Sequence, residues 1–245
     1  MKVSVVTVCF NSASTIEATL LSVKEQTWDN IEHIIIDGGS SDETVDIVNA
    51  HRDRVTCLVS EPDDGIYDAM NKGVGVANGE IVYFLNSDDR LCDPRVIEDV
   101  VSCFTHNPDA RLVYGDVVYC SEDSRSACRF GHINKNNIIY EHLCHQAVFA
   151  HKELFSQVGL LNLEYPINAD YDWLLRVFFS GAVTFHMSRD IALFDATGRH
   201  MDDVDLLRRE RRDVRMKFVN PLHYFVGDVF YRMRRKWRRI TGGLR

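Results

Sequence analysis

The chain has 245 residues, 45% of them hydrophobic and 26% charged, with a formal net charge of −8. That is enough apolar material for one large α/β domain, or a domain with a tail, and it excludes disorder for most of the length. A negative balance also argues against a general nucleic-acid binder, because neutralising phosphates requires a positive face.

The first residues run straight into a strand-like stretch, Val3 to Val8, without the longer apolar region and small-residue cleavage site of a signal peptide. That strand ends at Cys9-Phe10-Asn11-Ser12, and Ser14 is placed to cap a helix with Ile16, Leu20, Leu21 and Val23 on one face. Ile31 to Ile36 predicts a second strand, stopping at Asp37-Gly38-Gly39-Ser40-Ser41-Asp42, where Ser41 or Asp42 can start the next helix. A third strand is expected over Val55 to Ser60, and after Glu61-Pro62-Asp63-Asp64-Gly65 a helix over Ile66 to Val76. Ile81 to Leu85 follows as five consecutive apolar residues, a strand buried on both faces that discharges into Asn86-Ser87-Asp88-Asp89. Strand and helix alternating in this way predict a parallel sheet with right-handed crossovers.

Beyond Asp93-Pro94 the pattern predicts a helix through Val96 and Phe104, then a strand over Leu112 to Tyr119. Residues 121–137 are polar and read as an acceptor-side flap. Strand character returns over His142 to Ala150, Glu153 to Val158 is helical, and Asn168 to Asp172 precedes a helix from Trp173 to Ser180. One further strand is expected over Val183 to Met187, and from Val204 the chain reads as helical and charged, with a break at Asn220-Pro221.

Seven scattered cysteines without a C-x-x-C pair point to reduced thiols in a cytoplasmic setting. No apolar run approaches the roughly 18 residues of a bilayer-spanning helix. Arg232, Arg234, Arg235, Lys236, Arg238, Arg239 and Arg245 follow Tyr231 with no acid among them, beside Trp237 and Ile240. Such a basic, aromatic tail is either solvated or attracted to an anionic membrane surface from the cytosolic side.

The chemistry concentrates in carboxylates at segment ends: Asp37, Asp88 with Asp89, and Asp170 with Asp172. In a parallel sheet the carboxyl ends of neighbouring strands share one edge, so these acids can converge on one crevice. Asp88 and Asp89 repel each other unless a cation lies beside them, and a hard divalent ion carrying phosphate oxygens would serve. Neither a G-x-x-x-x-G-K-[ST] loop nor a G-x-G-x-x-G after the first strand is present to cradle phosphate instead. An N-S-D-D turn that merely caps the next segment is the simpler alternative.

The blocks V-S-V-V-T-V-C-F-N, I-I-I-D-G-G-S-S-D-E-T, D-D-G-I-Y-D-A-M-N-K-G, A-N-G-E-I-V-Y-F-L-N-S-D-D and A-D-Y-D-W-L-L-R occur in this order. Together they resemble the inverting family 2 glycosyltransferases, specifically non-processive bacterial members that build polysaccharide or O-antigen units. The resemblance implies a single GT-A domain over residues 1–200, with a nucleotide-binding half over about 1–110 and an acceptor half over about 111–200. It implies a central, mostly parallel mixed sheet flanked by helices, with residues 201–245 as a basic helical extension. It also implies a nucleoside-diphosphate sugar donor, Mg²⁺ or Mn²⁺, and a glycan or polyprenyl-linked glycan acceptor, placing the enzyme in the cytoplasm or on the inner membrane's cytosolic face.

By position, Asp89 matches the family's metal ligand and Asp88 its partner toward the ribose and sugar. Asp37 matches the first acid of the nucleotide loop, with Gly38 where many relatives carry Asp, and Asn86 stands where many have another Asp. Val8, Asn11, Asp68 and Lys72 are assigned to the donor side, and Asp170 matches the base that deprotonates the acceptor hydroxyl. His145 and Gln146, with Asp172, are assigned to the acceptor side. Two rivals remain at this point: a metal-dependent nucleotidyltransferase, and a nucleotide-sugar-binding module with weak or no catalysis.

Overall fold

A computed structural model describes residues 1–121, 124–195 and 203–220, with Gly227, Val229 and Met233 as isolated positions beyond them. The expected break at Asn220-Pro221 and the basic tail therefore lie, apart from Asn220 and Met233, outside the described residues.

The first half is the expected alternation: β1 (Val3–Cys9), α1 (Ile16–Lys24), β2 (Ile31–Asp37), α2 (Thr44–Ala50), β3 (Cys57–Ser60), α3 (Ile66–Val76) and β4 (Ile81–Phe84). β1 is buried at every residue, as a β-branched central strand covered on both faces must be. It pairs in parallel with β2 and β4, and β2 pairs in parallel with β3. α3 presses closely on this sheet: a Cβ on Gly73 would lie 2.3 Å from Val6 Cγ1, so the contact requires glycine.

The second half adds β5 (Arg90–Leu91), α4 (Val96–His106), β6 (Ala110–Cys120), β7 (Arg125–Cys128), a 3-10 turn at His145–Ala147, β8 (Val148–His151), α5 (Glu153–Gln157), α6 (Ala169–Ser180), β9 (Val183–Asp195) and α7 (Val204–Met216). Among the described residues the strands form one mixed sheet in the order β3-β2-β1-β4-β8-β6-β9-β5, with β7 on β6. β8 runs antiparallel to β4 and β6, whereas β6 and β9 are parallel. Tyr83 of β4 stacks on Phe149 of β8 at 4.0 Å between ring centroids, which joins the two halves through one continuous core.

Four expectations change. β9 continues eight residues past Met187, because Arg189 ties it to Asp93 and Asp99 and β5 pairs beside it. The polar 121–137 stretch contains β7, which hairpins onto β6; Glu122 and Asp123 are outside the described residues. The strand character over His142 to Ala150 resolves into the 3-10 turn followed by β8. Finally, α6 begins at Ala169, so Asp170 and Asp172 sit within its first turn.

Candidate active site

The candidate carboxylates gather at the carboxyl edge of the parallel strands, the edge at which an open α/β sheet binds its ligands. β4 ends there in a turn closed by Asp89 N–H donating to Asn86 O at 3.1 Å. Because β8 is antiparallel to β4, the 3-10 turn that feeds β8 arrives at the same edge and brings His145 and Gln146 to the Asp88-Asp89 tip.

Asp89 is 1% exposed. Its Oδ2 accepts from Gln146 Nε2 at 2.8 Å and its Oδ1 from the Asp195 N–H at 2.9 Å, at the end of β9. Gln146 is itself held by the Cys144 thiol, which donates to Oε1. Burial, and then the Asp88 charge, push the Asp89 carboxyl up to about 7 against the pull of these donors. The Asn86 Oδ1 beside it is buried and has no hydrogen-bond partner among the described residues.

A buried carboxylate strained by a neighbouring one, with an unpartnered amide oxygen two to three residues away, is an all-oxygen donor set short of positive charge. It fits a hard divalent cation that keeps most of its coordination for phosphate oxygens and water. Among the described residues no three His, Cys, Asp or Glu side chains gather to hold a metal by themselves, so the protein's share of such a shell is small.

Asp170 lies on the other side of the 3-10 turn. Tyr67 OH is 3.1 Å from its Oδ1 and 2.8 Å from Ile167 O, and the Tyr171 N–H donates to Oδ1 at 2.7 Å. His145 Nδ1 meets Oδ2 at 3.1 Å, and His145 Nε2 is buried without a partner among the described residues. Burial alone would raise the Asp170 carboxyl, yet His145, His142 and the Tyr171 amide hold it down to about 2. Consecutive residues thus bind the two candidate carboxylates, His145 for Asp170 and Gln146 for Asp89.

The nucleotide-side assignments fare unevenly. Asp37 is fully buried and saturated: it accepts from Gly39 N, Ser40 N and Ser40 Oγ, and from Ser60 Oγ at 2.7 Å, with the Cys9 thiol at 3.7 Å. It therefore shapes the loop and offers no free oxygen to a base. Val8 is likewise a core residue, at 6% exposure. Asn11 adopts φ 49°, and its Oδ1 accepts from Ser41 N at 2.9 Å, locking the two loops together. Ser12 Oγ meets Ser87 Oγ at 2.8 Å, tying the β1 loop to the β4 tip.

Asp68 and Lys72 pair with each other at 3.4 Å, and Lys72 also binds Glu61 and Pro62 O, so both satisfy the β3–α3 loop from within. Asp172 corrects an expectation outright. Two residues along a helix face opposite sides, so it points away from Asp170 and is buried against Arg176 at 2.9 Å and Lys217 at 3.3 Å.

Two residues were missed. Phe10, 54% exposed at the mouth of β1, presents a bare aromatic face. Asp63 fills the space above Gly38: a Cβ there would lie 2.6 Å from its Oδ2. A carboxylate from the next loop thus occupies the space that a side chain at position 38 would take. Phe10 was legible as an apolar residue stranded in a polar turn, whereas nothing in the sequence announces the approach of Asp63.

Residues 4–161 match the model of glycosyl transferase family 2. The chain belongs to this family. A PGL/p-HBAD biosynthesis glycosyltransferase of Mycobacterium tuberculosis is 34% identical over 200 residues, covering 80% of this chain and 77% of the relative. An Escherichia coli enzyme, UDP-Glc:alpha-D-GlcNAc-diphosphoundecaprenol beta-1,3-glucosyltransferase, is 40% identical over 88 residues, covering 36% and 35%. In fold, glucosyl-3-phosphoglycerate synthase from M. tuberculosis, solved with Mn²⁺, UDP and phosphoglyceric acid, superposes with a TM-score of 0.64 at 18% identity, over 90% of this chain and 80% of that one. The protein is therefore a glycosyltransferase with the GT-A architecture, which sets aside the nucleotidyltransferase. Among its described residues no helix is long and apolar enough to cross a membrane.

Proposed function

We propose that this glycosyltransferase inverts the anomeric centre as it moves a sugar from a nucleoside diphosphate to a hydroxyl of a glycan or lipid-linked glycan. The observation that carries this reading is the turn His145-Gln146, whose consecutive residues hold one carboxylate, Asp170, and another, Asp89. Asp89, with Asp88 beside it, would hold Mg²⁺ or Mn²⁺, which when bound neutralises the diphosphate and stabilises it as it leaves. Phe10 offers a stacking face to the base, and Asp63, poised over Gly38, an acceptor for a base N–H. The loop built on Asp37 sets both in place.

Asp170 receives the proton. Its Oδ1 is occupied by Tyr67 and Tyr171 N–H, while among the described residues Oδ2 has the His145 contact alone and a lone pair to spare. As the acceptor oxygen bonds to the anomeric carbon, the bond to the diphosphate breaks, its electron pair leaves with the phosphate, and the hydroxyl proton passes to Oδ2. A single in-line displacement of this kind inverts configuration. A lipid-linked acceptor is supported by the diphosphoundecaprenol-linked acceptor of the E. coli relative and by the basic sequence after Tyr231, suited to an anionic leaflet on the cytosolic side.

The test is transfer from a panel of UDP-sugars with Mn²⁺ or Mg²⁺. Asp170→Asn should lose about 10²- to 10⁴-fold in rate, the usual share of a general base, with UDP binding by calorimetry unchanged. An Asp170→Asn enzyme turning over at the normal rate would overturn the assignment.

A further inference from the structure

α7 lies beyond the segment matched by the family model, and it is an odd helix to find docked. Its sequence, VDLLRRERRDVRM, is dominated by charge, and its buried residues are Glu210 and Val214. Burying a carboxyl group costs several kcal/mol unless its oxygens are bonded, so an apolar side chain would dock the helix more cheaply.

Among the described residues the bonds made by Glu210 all go to one place and through one oxygen, while its Oε1 is buried without a partner there. Its Oε2 accepts from Ile167 N at 3.1 Å, Asn168 N at 2.9 Å and Asn168 Nδ2 at 3.0 Å. These lie at and just before the start of α6, whose N-cap, Asn168, makes no side-chain capping bond of its own. The next residue, Arg211, donates from Nε to Asn168 Oδ1 at 3.1 Å, and one turn on Arg215 donates from Nε to Tyr171 OH at 3.0 Å. Residues 167, 168 and 171 are thereby gripped from α7 on both sides of Asp170. Ile167 is also the residue whose carbonyl takes Tyr67 OH, the same hydroxyl that touches Asp170.

We propose that Glu210 is a positioning residue for the transfer reaction: from α7 it caps α6 and fixes the first turn that carries Asp170. This rests on the reading of Asp170 as the base. The Glu210 carboxyl supplies the acceptor that the helix start lacks, and its negative end faces the positive end of the α6 dipole. Release of this cap lets the first turn fray and moves the Asp170 carboxyl off its line to the acceptor hydroxyl, a misplacement that on the scale of 1 Å costs about 10²-fold in rate.

Wild type, Asp170→Asn, Glu210→Ala and Glu210→Gln are compared for kcat, donor KM, UDP affinity and amide hydrogen exchange at Asn168. Glu210→Ala should lose about 10- to 100-fold in kcat with donor KM and UDP affinity within about twofold, and should exchange faster at Asn168. Glu210→Gln keeps an oxygen able to accept the three bonds and should recover at least about fivefold over the alanine variant. A Glu210→Ala enzyme with wild-type kcat, one that loses UDP affinity in parallel with kcat, or a glutamine variant no better than alanine would overturn the proposal. If the alanine variant does not fold, Glu210→Asp, one methylene short of the cap, should still lower kcat with UDP binding intact, and wild-type kcat in it is equally fatal. An active Asp170→Asn enzyme would instead remove the base assignment, leaving the exchange at Asn168 to report on the cap.

Discussion

The two sides of the crevice are built on opposite plans. On the nucleotide side the polar groups at the strand ends satisfy one another: Asp37 gathers Gly39, Ser40, Ser60 and Cys9 around one carboxylate, and Asn11 locks onto Ser41. From the β4 tip to the start of α6 the polar groups are held by partners far away in the chain, and two buried atoms, Asn86 Oδ1 and His145 Nε2, find none among the described residues. A buried polar atom without a bond costs about 1–3 kcal/mol, an expense that native structures tolerate mainly where a ligand or function accounts for it. The donor loop is thus a finished platform, whereas the transfer centre keeps buried polar atoms unpaired among the described residues.

The largest effect should come from breaking the finished side. Asp37→Ala strands the Gly39 and Ser40 amides and the Ser60 hydroxyl in a buried loop, so unfolding by urea should show a loss of about 2–4 kcal/mol. A loss below about 1 kcal/mol would mean that the loop does not depend on Asp37 for its shape.

Phe10 sharpens the same side without breaking it. At 54% exposure its side chain contributes little to the core, so Phe10→Ala should change stability by less than about 0.5 kcal/mol. Loss of a stacking face for the base should nonetheless weaken UDP binding about tenfold, within the roughly 1–3 kcal/mol of base–aromatic contacts. Unchanged UDP affinity would leave Phe10 an exposed residue with no part in the donor site.

How much of this was legible in the sequence follows the same division. β1 to β3 could be read because each apolar strand is followed by a turn and a helix, and β4 because its apolar run breaks at once into the polar Asp88-Asp89 tip, so the information is local. The length of β9 could not: Ser188-Arg189-Asp190 reads as a polar break, and it remains strand because Arg189 bridges to Asp93 and Asp99 almost a hundred residues earlier. The start of α6 was placed late for a related reason, since its cap is Glu210, not a neighbouring Asp or Asn. Asp63 over Gly38 is a meeting of two loops that only the register of β2 and β3 decides.

The smallest effect, and the one that isolates the acceptor side, is a dependence on pH. His145 is among the groups that hold the Asp170 carboxyl at about 2 against an ordinary 3.8. A carboxyl depressed in the folded state stabilises the fold fully above its unfolded value, and that stability is lost as pH falls from about 4 toward 2. The whole shift is worth on the order of 2 kcal/mol, and His145 supplies one share of it beside His142 and the Tyr171 amide. His145→Gln removes the charge and alters the bond, so it should be less stable than wild type above pH 4, and the gap should close as the solution is taken toward pH 2. Carboxyls titrating elsewhere affect both proteins alike and cancel in the difference. Urea midpoints measured at pH 5 and pH 3 decide the matter: a gap of constant size would mean that His145 packs beside Asp170 without holding its charge, and the transfer centre would then owe its geometry to Tyr67 and the α6 cap alone.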